Sequence, residues 1–207
     1  MKMKLFSLLL ITLSISSGCT NHPVQNTKNQ ESSYSSIQPY TLTQKEKEFS
    51  SLTPIDPGEL FVYKLLLTKN ETVEVKVDHY AENQLKQTFI HMSSSLNKGE
   101  SRISIGLDYL PGDQKERLWF ATLEGAKGST VEKLDVEEGA AFASDSLAGE
   151  KKLQHDKFVV IGTYIHNSLK TDILTPVLNE PNSLKTILKE NENVYVFSCR
   201  IKKTKGK

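Results

Sequence analysis

From Glu59 onward the chain alternates apolar and polar residues with a period of two, the spacing of strands that bury one face. Leu60 to Leu67 is almost wholly apolar and reads as a central strand. Thr72 to Tyr80 alternates cleanly, with Val73, Val75 and Val77 on one side and Glu74, Lys76 and Asp78 on the other. The polar turn Ala81-Glu82-Asn83-Gln84 separates it from a strand over Leu85 to Met92, so 72–92 reads as a hairpin. Ile103, Ile105, Leu107 and Tyr109 then alternate with Arg102, Ser104 and Asp108. Pro111-Gly112-Asp113 is strong turn chemistry, and Leu118, Trp119, Phe120 and Leu123 follow it, which makes 102–123 a second hairpin. Val131, Leu134 and Val136 mark a short strand. Phe158 to Ile165 and Val194 to Ile201 mark two more; in the last, Tyr195, Phe197, Cys199 and Ile201 share one side.

A helical period occurs at Leu184, Ile187 and Leu188, predicting a short amphipathic helix over 182–190 with Asn182 as its N-cap. Thr43-Gln44-Lys45-Glu46 has the form of a capping box and predicts a helical turn over 43–50. Residues 139–154 carry neither period and read as a long ordered loop with room for a helical turn. Strands joined by turns, without crossover helices, predict an all-β fold: an antiparallel β-sandwich of about eight strands with one short helix near the C-terminus. The alternative is an α+β domain in which that helix covers one sheet.

The beginning of the chain has a different character. Lys2 and Lys4 precede the apolar run Leu5 to Ile15, and small residues then lead to Cys19. A charged start, a short apolar core and a small-residue cleavage zone mark a secretory signal peptide. The run is shorter than the roughly 20 residues that span a bilayer. Ser16-Ser17-Gly18-Cys19 resembles the lipobox of bacterial lipoproteins, with Ser16 where that motif usually has leucine and Ile15 one step earlier. The resemblance implies that 1–18 is a leader, cut just before Cys19, and that Cys19 is the lipidation site. It implies a partner, the membrane, held through lipid on Cys19, and a place on the extracytoplasmic side of the bacterial cell membrane. Each buried methylene contributes roughly 0.8 kcal/mol, so a diacylated cysteine would anchor durably. Thr20 to about Tyr40 is rich in Asn, Gln, Ser and Thr, too polar to offset the cost of ordering. Residues 19–53 are therefore expected to be a tether, 54–203 the folded domain behind Pro54 and Pro57-Gly58, and 204–207 a basic tail.

The 26 basic and 25 acidic residues fall close to balance once Lys2 and Lys4 are removed with the leader. That leaves no global field for nucleic acid and argues against binding anionic lipid by charge alone. The arginines are Arg102, Arg117 and Arg200, so bidentate clamps for phosphate are scarce. With Cys19 lipidated, Cys199 has no disulfide partner and is expected to be a buried small hydrophobe. A domain of about 150 residues buries enough surface to be stable without a disulfide.

Five histidines are present: His22, His79, His91, His155 and His166. His79 is in phase with the valines of its strand, and His91 with Phe89. Hairpin pairing about 82–83 holds His79 and His91 apart, and His155 and His166 flank opposite ends of one strand. No metal-ligand spacing results, so neither a metal nor a cofactor is expected. Asp108, Asp113 and Glu116 surround a turn without the spacing of an EF-hand loop. Ser144-Asp145-Ser146 lacks a nucleophile elbow, reads as a polar turn, and leaves no catalytic residue assigned. Tyr80, Tyr109, Trp119 and Tyr164 lie on or beside strands, either in the core or facing a ligand. The leading expectation is a membrane-anchored, non-catalytic sandwich that binds or scaffolds a protein or small molecule the sequence does not identify. The alternatives are an envelope hydrolase with a site in 139–156 and an accessory docking subunit of a membrane complex. An aromatic-lined pocket would favour binding, convergent polar groups with shifted pKa values an enzyme, and an exposed apolar patch docking.

Overall fold

The computed structural model describes residues 33–50, 59–109, 116–133, 140–168, 173, 178 and 182–203. The elements run β1 (Ser36–Pro39), α1 (Gln44–Ser50), β2 (Leu60–Leu67), β3 (Glu71–Ala81), β4 (Gln84–Leu96), β5 (Gly99–Tyr109) and β6 (Glu116–Leu123). Then follow β7 (Ala126–Lys133), β8 (Ala141–Ser146), β9 (Lys151–Lys152), β10 (Val159–Asn167), α2 (Ser183–Glu190) and β11 (Asn193–Lys202). The strands form two antiparallel sheets, ordered β7-β6-β5-β2-β1-β9 and β4-β3-β11-β10-β8. This is the expected antiparallel sandwich, with more strands than expected and a second short helix. All these elements belong to the compact unit Glu31–Lys207.

The additional strands have a common cause: short or edge strands carry little apolar pattern. Within the span expected as tether, β1 lies between β2 and β9, pairing Ile37 with Leu65 and with Lys151. Ile37 is fully buried, one apolar residue among polar neighbours. The folded part therefore starts by Ser36 and not at Pro54. The stretch expected as a long loop, 139–154, instead holds β8, at the edge of the second sheet against β10, and β9. The leader, Cys19, His22, Pro54, Pro57-Gly58, Pro111-Gly112-Asp113 and the tail 204–207 lie outside the described residues.

Local chemistry explains several turns. Glu82 and Asn83 join β3 to β4 with φ of 52° and 62°, the left-handed pair that matches the twist of a two-residue hairpin. The β3–β4 register slips where Val77 pairs with Ile90 and Asp78 with Thr88, leaving Phe89 as the bulged residue. Phe89 therefore packs inward beside Ile90 and Met92, whereas His91 points out, although simple alternation would put Phe89 and His91 on one side. Ahead of α1 the capping box forms: the Thr43 N–H donates to Glu46 at 2.8 Å, and the Glu46 N–H to Thr43 Oγ1 at 3.3 Å. The expected cap on α2 does not form. Asn182 has a left-handed backbone (φ 67°) and makes no side-chain cap, although its carbonyl accepts from the Thr186 N–H.

The main core lies between the sheets. Tyr63, Leu65, Ile103, Ile105, Leu107 and Trp119 from the first meet Val73, Val75, Val77, Phe197, Cys199 and Ile201 from the second. A second cluster, Ile165, Ile187, Val194 and Val196, lies where α2 covers the outer face of β10 and β11. Cys199 is fully buried in the main core, as its strand phase requires, and burial pushes its thiol up, away from the reactive thiolate.

Tyr63 reaches across the core. A register shift between Val160 and Gly162 frees the Ile161 carbonyl from the ladder, and Tyr63 OH donates to it at 2.7 Å from the opposite sheet. Ser146 Oγ donates in turn to Tyr63 OH at 3.2 Å. Gly162 makes room for this approach: a Cβ there would sit 2.6 Å from Tyr63 OH and 2.8 Å from Phe197 Cδ2. Gly162→Ala should therefore destabilise the domain by about 1–3 kcal/mol through overpacking, read as a lower urea midpoint with an unchanged slope.

Candidate functional site at the distal end of the sandwich

The antiparallel layout gives the sandwich two ends. The proximal end is where the chain joins β1 and carries the turns at 68–70, 97–98 and 124–125. The distal end carries the 82–83 turn, the start of β6, the end of β7, the start of β8, the end of β10 and the start of β11. At the distal end the inward positions cease to be aliphatic. On β6 Arg117 is in phase with Trp119, Ala121 and Leu123, and all four are buried. Glu132 stands opposite Arg117 on β7, and Tyr195, His79, Tyr164 and Phe89 come from the second sheet.

These residues form one connected cluster. Glu132 accepts from Trp119 Nε1 and from Tyr195 OH, each at 2.8 Å, so a carboxylate from one sheet bonds a phenol of the other. The Tyr195 ring stacks on Trp119 and on His79, each with 4.6 Å between centroids. His79 Nε2 donates to Asn193 Oδ1 at 3.0 Å. The Arg117 guanidinium lies 4.5 Å from the Phe142 ring centroid and 5.4 Å from that of Tyr164, a cation held against aromatic faces. Phe142 stacks in turn on His166 at 4.8 Å. Burial and then the charge and hydrogen bond of Glu132 push the Tyr195 hydroxyl up, so it stays a donor.

His166 stands apart within this group. It is 2% exposed, and neither ring nitrogen has a hydrogen-bond partner among the described residues. Burial, and then the neighbouring Arg117 charge, push its pKa below the ordinary histidine value. The ring is thus a neutral imidazole that keeps one donor and one acceptor. A buried polar group without a partner calls for a water, an ion or a ligand.

The other residues singled out in the sequence are dispersed. His91 lies on the outer face of β4 and donates to Glu74 at 2.7 Å. Glu74 also bonds Arg200 and Lys202; burial alone would raise its pKa, but these partners hold it down to about 2. His155 is at the proximal end, 3.6 Å from Glu71. Tyr80 packs with the cluster under α2. Asp145 accepts from the Ser146 and Leu178 N–H groups, and the Ser146 hydroxyl serves Tyr63. These bonds hold edge strand β8 in place. Glu116 pairs with Lys133 at 3.3 Å, while Asp113 lies outside the described residues. Sequence reasoning missed Arg117 and Glu132 as site residues. The available signal was a charged residue in phase with Trp119 on the buried side of β6.

The His166 shift fixes the sign of a pH effect. Its folded pKa is depressed, so its neutral form stabilises the fold fully above the unfolded value of 6.5, and this stabilisation is lost as pH falls below it. His166→Phe keeps a ring against Phe142 and cannot titrate. The stability difference between wild type and His166→Phe should shift against the wild type as pH drops from neutral, in urea melts at several pH values. A difference flat across that range would show that His166 finds a proton partner in the fold.

The family model of the YgaN domain matches residues 36–201. No curated protein and no solved structure matches the chain. The matched span runs from the first residue of β1 into β11 and so takes in both sheets, the crossing tyrosine and the distal cluster. The chain belongs to the YgaN domain family.

Proposed function

We propose that this protein is a lipid-anchored envelope lipoprotein whose β-sandwich acts as a non-catalytic binding domain, with its ligand received at the distal end. The observation that carries the binding assignment is the His166 imidazole, buried against the Phe142 ring with both nitrogens bare among the described residues. Aromatic walls with a few placed polar groups are the usual composition of a small-molecule site. The bonds of Asp145 and Ser146 to backbone and to Tyr63 favour binding over hydrolysis in the stretch where a hydrolase site was considered. The anchor rests on the lipobox-like Ser16-Ser17-Gly18-Cys19. Cys19 would hold the domain on the extracytoplasmic side of the membrane.

The two halves of the proposal have separate tests. Cys19→Ala should abolish acylation and processing, so that the processed chain disappears from the detergent phase of a phase-partition extract. A mutant that remains processed and acylated would sink the anchor. For the binding half, Trp119 is the one tryptophan of the chain and lies inside the cluster, so its emission reports directly on the site. Envelope small-molecule fractions should include one that shifts Trp119 emission in the wild type and not in His166→Phe. No shift with any fraction, or an equal shift in both proteins, would count against a distal binding site.

A further inference from the structure

We propose that the proximal end of the sandwich docks on an anionic lipid surface through a group of exposed lysines. Net charge near zero hides how the charges are distributed along the strand axis. Lys69 lies in the β2–β3 turn, Lys98 between β4 and β5, Lys152 on β9, Lys157 before β10, and Lys203 just after β11. All five are exposed, and all lie at the proximal end. Tyr34, Lys69, Lys152 and His155 line one groove of about 340 Å³, and Lys152 Nζ lies 5.2 Å from the Tyr34 ring centroid.

Two acids of this end, Glu71 and Glu74, are withdrawn, whereas Glu100, Glu124, Glu150 and Asp156 are exposed. Glu71 is 5% exposed, takes the Ser35 hydroxyl at 2.8 Å and is faced by Lys69 and His155. Glu74 is 2% exposed and already bonded to His91, Arg200 and Lys202. Glu100 pairs with Lys64, Glu124 takes the Ser101 hydroxyl, and Asp156 accepts from the Lys203 N–H. The distal end carries Glu82 and Glu192, with Glu116 and Glu190 paired to Lys133 and Lys189. The field of such a molecule draws its proximal end toward negative charge, although its total charge does not.

The chain length selects a lipid surface as the source of that negative charge, an argument that rests on the anchored reading. Fourteen steps separate Cys19 from Ser33. Fully extended they reach at most about 50 Å. An anchored domain thus has its lysine-bearing end nearest the headgroups, and basic residues at an anionic leaflet bind it additively within a Debye length of about 8 Å.

The test is lysine footprinting of the full chain on vesicles. Acetylation of Lys69, Lys98, Lys152, Lys157 and Lys203 should be slowed by about fivefold on phosphatidylglycerol–phosphatidylcholine vesicles relative to phosphatidylcholine alone. Lys86, Lys185 and Lys189, remote from this end, should react equally on both. Raising salt to about 1 M, where the Debye length is about 3 Å, should restore the rates. In the variant K69E/K152E/K157E/K203E, Lys98 should lose its protection. Equal rates on the two kinds of vesicle would overturn the proposal, and so would protection of the remote lysines. Equal protection by free inorganic phosphate would overturn it too, because it would identify a small-anion site. The mass of the same sample reads the acyl group on Cys19 independently. An unacylated chain that still gives the footprint removes the anchor and keeps the docking face, whereas an acylated chain without it removes the docking face alone.

Discussion

The hydrogen bond from Tyr63 to the Ile161 carbonyl is the contact on which the two sheets depend for their alignment. Hydrophobic packing holds sheets together without fixing how one slides over the other, since apolar contacts are not directional. A hydroxyl aimed at one carbonyl is directional. The bulge in β10 supplies that carbonyl, and the bare face of Gly162 lets the phenol reach it. The Leu147 N–H shares the same acceptor at 3.0 Å, so the link after β8 is tied to this point as well. With this point fixed, the aromatic rings at the distal end meet in register, and Glu132 can reach Tyr195 across the interface.

The cluster that Glu132 and Arg117 enter is unusual for a sandwich core. Burying charge is costly unless hydrogen bonds and opposite charge compensate it. Glu132 has two donors, and Arg117 is opposed to it across the β6–β7 pair with aromatic faces on its other side. Aliphatic residues would fill the space with less desolvation. Polar groups are retained there, and among the described residues His166 has no hydrogen-bond partner.

The fold class could be read from the chain because long strands with one buried face have a strict period of two. Val73, Val75 and Val77, or Tyr195, Phe197 and Cys199, declare their side without help. Three kinds of feature escaped. Strands β1 and β9 are stabilised by pairing to neighbours far away in the chain, and a lone Ile37 has no period. Edge strand β8 is built of small and polar residues because one of its sides has no partner strand. The bulge at Phe89 inverted an alternation that the sequence printed plainly, since an extra residue leaves no mark in composition. The site was half legible. His79 was placed on the inner face by its phase, but its stacking on Tyr195 and its bond to Asn193, 114 residues away, are made by a strand far off in the chain.

The short strand β1 also decides how the molecule bears a load. It lies between β2 and β9, and its first residue is at the proximal end. A pull between the start of β1 and the distal end runs along the strand axis. Its bonds to β2 are then strained in shear, together, and not peeled apart one after another. A strand too short to announce itself in the sequence is thus the clasp through which load entering at the start of the sheet passes to its neighbours.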